Sequence, residues 1–341
     1  MQLIKKYLQK TGVYLLVLLG LSILIFIIGR VLPGDPARQA LGPHASAETV
    51  QKLRQEMNLD KALPLQYVLW LKGALQGNLG KSLLTRRSVL EDVQTYLPAT
   101  FEIVLLSASL MAIFGILLGI VAAKYNGKWA DGLIRVLSYL GIVSPAFVWA
   151  ILFMLLFGYL WPILPMTGRI GLNLKPPAPV TGMFVLDYLL SGNLKGAWDA
   201  FQHLILPAVS LMLGGMAQAA RMTRSNMVLN ADKDYILAMQ AYGVPEKKIL
   251  RKYLLKPSLI PTVSVMGMDI AALFGNAFLV ENLFNYPGLS RYGLNAMLNK
   301  DINAISAVVM VYGLVFIIVN IIIDIIIARL DPRIRLLGKG E

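Results

Sequence analysis

Residues Ile103–Ala123 read IVLLSASLMAIFGILLGIVAA, 21 residues without a charged side chain. A helix needs roughly 20 apolar residues to cross a hydrocarbon core. Five further stretches meet that length: Thr11–Ile28, Val136–Leu160, Leu204–Ala220, Leu259–Val280 and Ala304–Ala328. Only the last two carry an acid, Asp269 and Asp324 respectively. Across the chain 57% of residues are apolar and 15% are charged, against about 25% charged in a soluble domain. These features predict an all-α membrane protein with six transmembrane helices.

Lys5, Lys6 and Lys10 precede the first span, as in a signal peptide, but its apolar run is too long for a signal h-region. Arg30-Val31-Leu32-Pro33-Gly34-Asp35 follows, without a small-x-small cleavage pattern. The stretch therefore reads as a retained helix. The organisation expected is residues 1–32 for the N-terminus and first span, 33–100 for an outer segment, 101–330 for a core of five spans, and 331–341 for a tail.

Lys and Arg set orientation. With both termini on one side, that side holds 18 basic residues against six acidic ones, in short loops. Both termini are then expected in the cytoplasm. The net charge of +13 becomes a topology signal, and nucleic acid is not needed to explain it. Cysteine is absent, and the two histidines, His44 and His203, lie far apart. No disulfide frame or metal-ligand spacing results.

The segment after the first span is long enough to fold. Ser46 is placed to cap a helix carrying Val50, Leu53 and Met57, and a second helix is expected after Pro64. Gly80-Lys81-Ser82 imitates the end of a phosphate-binding loop. The first glycine of that motif would fall at Leu75, and no strand precedes it. It is given no nucleotide role.

The loop of residues 221–258 is the most informative. Asp232 or Asp234 can start a short helix, Tyr235–Tyr242, that is apolar nearly all round. Gly243 suits its C-terminus, and Pro245 then opens a second helix with Glu246 in its first turn. Ile249, Leu250, Tyr253 and Leu254 form an apolar face there, opposite Lys247, Lys248, Arg251 and Lys252. The short helix must be covered by its own bundle, by the lipid interface or by a soluble partner.

Ala238-Met239-Gln240-Ala241-Tyr242-Gly243 resembles the cytoplasmic loop of ABC importer permeases, with Leu237 at the usual leading Glu and Met239 at the second Ala. The dipeptide/oligopeptide/nickel branch of that family is matched along nearly the whole chain. The matching segments are Leu32-Pro33-Gly34-Asp35-Pro36, Asn58-Leu59-Asp60-Lys61, Gly77-Asn78-Leu79-Gly80-Lys81-Ser82, Arg221-Met222-Thr223-Arg224-Ser225, Glu281-Asn282-Leu283-Phe284-Asn285-Tyr286-Pro287-Gly288 and Asp331-Pro332-Arg333. The B-type subunit is the nearer relative.

The resemblance implies the type I importer permease fold, with a helical outer insertion after the first span. It implies a second homologous permease, two cytoplasmic ATPases that use ATP and Mg, and an extracytoplasmic binding protein. No cofactor would be bound by this chain. Tyr235, Ile236, Ala238, Met239, Ala241, Tyr242, Gly243, Val244 and Pro245 would contact an ATPase. The cargo implied is di- or oligopeptides, or else nickel chelates, glutathione or oligosaccharides.

Within the spans, a mid-membrane carboxylate costs about 2.5–3.5 kcal/mol. Asp269 sits near the middle of the fifth span, and Asn276, seven residues on, shares its face. Gly267, Ala271 and Gly275 form a row of small residues nearly opposite, suited to close helix packing. Asp269 and Asn276 read either as lining a substrate path or as hydrogen-bonded structural groups. Asp324 is expected to pair with Arg329, while Arg221 and Arg224 read as topology anchors. A secondary transporter would more often show internal repeats, and an intramembrane enzyme would need a catalytic pair that the spans do not offer.

Overall fold

A computed structural model describes residues 2–31, 36–41, 45–56 and 58–330. Leu32–Asp35, His44, Met57 and the Asp331–Arg335 tail lie outside the described residues, as do the side chains of Lys5, Lys6, Lys10 and Leu53. Helices follow one another along the chain: α1 (Gln2–Val31), α2 (Pro36–Leu41), α3 (Ala47–Glu56), α4 (Leu63–Leu75), α5 (Val89–Lys124), α6 (Trp129–Val143) and α7 (Ala146–Phe153). Next come α8 (Phe184–Leu190), α9 (Leu194–Ala231), α10 (Asp234–Ala241), α11 (Glu246–Lys248), α12 (Lys256–Leu283), α13 (Leu289–Leu298) and α14 (Ile302–Leu330). Wider π-helical turns extend α7 through Met154–Leu160 and join α11 to α12 through Ile249–Leu255. Among the described residues there is no β-strand, only one isolated bridge between Lys81 and Ser88.

Among the described residues, five helices are long and apolar enough to span a membrane, and a bent pair, counted as one span, makes a sixth. The expectation of one span over Val136–Leu160 is corrected here. Helix α6 begins earlier, at Trp129, and the chain turns by 106° before α7. The break falls at Ser144-Pro145. Proline disfavours the helical region for the residue before it, and Ser144 is extended, at φ −84° and ψ 123°.

The chain forms two compact units. The first joins Leu3–Leu97 to Leu289–Val315. Its core packs Val89 and Val93 of α5 against Leu289, Tyr292 and Ala296 of α13 and Ala304, Ala307 and Val308 of α14. Ser46 caps α3 as expected, accepting the Thr49 N–H at 3.2 Å. The second helix, α4, starts at Leu63, one residue before Pro64 rather than after it, with Pro64 in its first turn. The Gly80-Lys81-Ser82 loop already has an internal anion. The Asp301 carboxylate accepts from Ser82 Oγ at 2.6 Å and from Leu83 N at 2.7 Å. Those donors are held by Asp301, not presented to a phosphate.

The second unit joins Pro98–Gly288 to the chain from Phe316. Helix α9 is its hub. A Cβ on Gly115 would lie 2.9 Å from the Met216 carbonyl oxygen, and one on Gly119 would lie 2.8 Å from that of Ala220. These two glycines, four apart on α5, let the backbones of α5 and α9 approach closely. Gly141 does the same for α6, with Ala217 Cβ 2.9 Å from its would-be side chain. Helix α12 packs along α9 through Met266 beside Met212 and Ala219. Two polar contacts fix its level, Thr223 to Thr262 at 3.4 Å and Asn230 to Ser258 at 2.8 Å.

Gly119→Val should therefore wedge α5 from α9. Overpacking of this kind costs about 1–3 kcal/mol. The detergent-solubilised protein is expected to melt several degrees lower. Gly132→Ala, at a site with nothing within 4 Å, should leave the melting temperature unchanged.

Candidate functional site

A cavity of about 640 Å³ opens among α6, α7, α9 and α12 of the second unit. Two sequence features make the space. Gly214 and Gly215 put no side chains into it, and the break at Ser144-Pro145 turns α7 out of the line of α6. Its polar lining comes from Ser144, Gln218, Arg221, Asp269 and Asn276. A Cβ on Gly215 would lie 3.5 Å from Asp269 Cβ and 2.2 Å from Met111 Sδ. Asp269 therefore packs beside Gly215, where Met111 takes the space a side chain would fill.

Asp269 Oδ2 is buried and makes no hydrogen bond. Asn276 lines the same cavity, so the two share a face as their spacing requires. The small-residue row on the other face is packed only in part. Ile323 fills against Gly267 at 2.7 Å, but nothing lies within 4 Å of a Cβ on Gly275. The expectation of a continuous close-packed row is corrected to one contact, at Gly267.

Two further groups were not singled out from the sequence as lining: Gln218, inside the fourth span, and Arg221, just past its end. They lie beyond Gly214 on one stripe of α9, and Arg221 Nη2 donates to Gln218 Oε1 at 2.9 Å. The signal was the i, i+4, i+7 spacing of residues 214, 218 and 221. Arg224 is also more than an anchor. Its Nε and Nη2 reach Asp131 of α6 at 2.5 and 2.8 Å, and Nη2 also donates to Asn126 at 2.8 Å. This bidentate pair ties α6 to α9, and Asp131 in turn accepts the Gly127 N–H at 3.0 Å. Asn320 donates to its own helix, at the Phe316 carbonyl.

The same unit holds a second buried ionic group. Arg169 Nη2 donates to Glu102 at 2.6 Å and to the Gly182 carbonyl at 3.0 Å, and its guanidinium lies 3.6 Å from the centre of the Phe184 ring. The Tyr286 hydroxyl donates to Glu102 at 3.2 Å. Burial pushes the Tyr286 phenol above its ordinary range, so it keeps its proton and remains a donor. Nearby Asp187 accepts from Thr181 N, Thr181 Oγ1 and Gly182 N. Burial acts to raise its carboxyl, but these hydrogen bonds outweigh it and hold the group below its usual value.

Helix α10 covers Asp234–Ala241, close to the expected Tyr235–Tyr242. Its N-terminus differs in detail. Lys233 precedes it, and neither Asp232 nor Asp234 makes a side-chain cap. At the other end, Gly243 has φ +71°, the left-handed conformation that glycine adopts freely. Val244 N then donates to the Met239 carbonyl, and Pro245 leads into α11. One side chain of the helix is fully buried, and the Tyr235 hydroxyl donates to the Tyr253 carbonyl at 3.3 Å. Ile236 is 1% exposed, whereas Leu237 is 52% and Tyr242 87% exposed. Ala238 and Ala241 are exposed, and Met239 and Val244 are half-buried. The chain's own bundle therefore leaves most of this apolar helix uncovered.

Residues 115–336, which include the cavity and α10, match the family model described as binding-protein-dependent transport system inner membrane component. Residues 3–104 match the N-terminal model of the same components. The chain belongs to this family of ABC importer permeases. It is 36% identical to a probable D,D-dipeptide transport system permease of Escherichia coli K12, over 96% of each chain. A dipeptide transport system permease of Alkalihalophilus pseudofirmus is 34% identical, over 94% of this chain and 96% of that one. A glutathione transport system permease of Pectobacterium atrosepticum is 33% identical, over 93% and 94%.

For this permease, the two arginines of the Arg221-Met222-Thr223-Arg224 stretch have different work, one lining the cavity and one clamping helices. Breaking a buried ion pair by removing one partner costs up to about 3–5 kcal/mol. Asp131 is 1% exposed and Arg224 20%, so the lower end applies. Arg224→Met should thus lower thermal stability markedly in detergent, whereas Arg221→Met should leave it within a degree or two. Equal melting temperatures for the two variants would contradict the clamp.

Proposed function

We propose that this chain is one of two permease subunits of an ATP-driven importer for di- or oligopeptides. Peptide as the cargo class rests on the names of its relatives, which match over more than nine-tenths of the chain. Glutathione, itself a tripeptide, is the second reading, supported by relatives at 31–33% identity. Nickel chelates and oligosaccharides are cargoes of the same branch with no such support here.

In this reading both termini and α10 are cytoplasmic, following the excess of Lys and Arg on that side. Two ATPase subunits dock there and carry out all ATP and Mg chemistry. A binding protein delivers cargo to the opposite face. The second permease completes the wall of the cavity, and Asp269 and Asn276 line the path.

One observation carries the assignment of the motor contact: α10 is apolar, ends at a glycine turn and buries only Ile236 fully, with Leu237 and Tyr242 outward and Tyr235 tied to the Tyr253 carbonyl through its hydroxyl. An exposed apolar patch rimmed by charge is a typical protein-binding surface. The surface of Tyr235, Ile236, Ala238, Met239, Ala241, Tyr242, Gly243, Val244 and Pro245 would be covered when the ATPase docks. Motion there passes directly into α9, which α10 follows after two residues, and into α12 through α11.

Leu237→Asp with Tyr242→Asp should abolish co-purification of the ATPase subunits and reduce peptide uptake at least tenfold, while the permease still inserts. Deleting Tyr235–Tyr242 should do the same. ATPases that still co-purify with the deletion variant would overturn the coupling assignment.

A further inference from the structure

The cavity holds two opposite charges that do not meet. Asp269 Oδ2 is buried with no hydrogen-bond partner. Arg221, on the facing helix, bonds Gln218. Helices α9 and α12 run antiparallel, with Thr223 level with Thr262, and Asp269 lies beside Gly215. Arg221 is six residues further along α9, so its backbone sits about 9 Å from the level of Asp269 at 1.5 Å per residue. The cavity lining from α6 and α7 contains no charged residue. The only ionic groups in the lining are thus one carboxylate and one guanidinium, held on two walls at different depths.

An extended peptide spans about 3.3–3.6 Å per residue. Its ammonium and carboxylate ends are then roughly 7 Å apart in a dipeptide and 10 Å in a tripeptide, the range that the Asp269–Arg221 offset and the swing of an arginine side chain cover. From this geometry we infer that the permease cavity is itself a recognition site for short zwitterionic peptides, with Asp269 receiving the amino terminus and Arg221, braced by Gln218, the carboxylate. Gly214, which lines the cavity between the two levels, contributes no side chain there. Asn276, about 10 Å from Asp269 on the other side, offers amide contacts to a peptide on its way to or from the site.

This inference rests on the proposed function and is tested so that the two can fail separately. The permease–ATPase assembly without binding protein is titrated with alanyl-alanine, its N-acetyl derivative and its C-terminal amide, and uptake of alanyl-alanine is measured in the complete system. The wild type should bind the free dipeptide at least about tenfold more tightly than either blocked form, the scale of one lost charge-assisted hydrogen bond. Asp269→Asn should lose the preference against the N-acetyl form and keep that against the amide. Arg221→Gln should do the reverse, and Asp269→Glu should keep both preferences. Equal weakening toward all three probes in both variants would overturn the inference, as would uptake of the dipeptide without any such discrimination in the wild type. Failure of the complete system to import any peptide would overturn the proposed function and this inference with it.

Discussion

The close approach of three helices to α9 is the constraint on which the core depends. In a bilayer, apolar surface gains little from leaving lipid, so helix association rests on packing and a few polar contacts. Gly115 and Gly119 of α5 and Gly141 of α6 bring backbone onto backbone, leaving no room for a side chain at any of the three. Gly214 and Gly215, next to these contacts on α9, line a cavity that the turn at Ser144-Pro145 keeps α7 from filling. At Gly215 the missing side chain makes room for Met111 Sδ.

The charges divide in a similar way. Asp131 and Arg224 are paired in a bidentate contact, and Asn126 and Gly127 satisfy much of what remains. Glu102, Arg169 and Tyr286 form another closed group. These sites hold elements together. Asp269 is half-buried, with Oδ2 buried and without such a partner, beside a cavity that also contains Arg221 and Asn276. Keeping that carboxylate costs free energy that packing does not return, which is why it is read as a contact for something that passes.

Much of this was legible in the sequence, because membrane spans obey a length and polarity rule that local composition satisfies. The first, second, fourth, fifth and sixth spans correspond to α1, α5, α9, α12 and α14. Asp269 stood out as a carboxylate in mid-span, its spacing from Asn276 gave the face they share, and Gly243 marked the end of α10. What was not legible depends on partners distant in sequence. Arg224 finds Asp131 93 residues away, and Arg169 finds Glu102 67 residues away. The bend in the third span was written at Ser144-Pro145, yet hydropathy alone runs straight through it. Arg221 was assigned to topology because it lies past the apolar run of the fourth span, whereas α9 continues helically to Ala231 and carries it into the lining.

The central claim is that this space is an aqueous path rather than a void sealed by lipid. The chain contains no cysteine, so one introduced thiol on it reports alone. Single cysteines at Asn276 and Gln218, in the complete transporter, are exposed to a membrane-impermeant thiosulfonate, with Ile318→Cys on the outward apolar surface of α14 as the control. Labelling at both cavity positions, slowed by saturating peptide and absent at residue 318, is the result predicted. Cavity positions as unreactive as residue 318 would contradict the account.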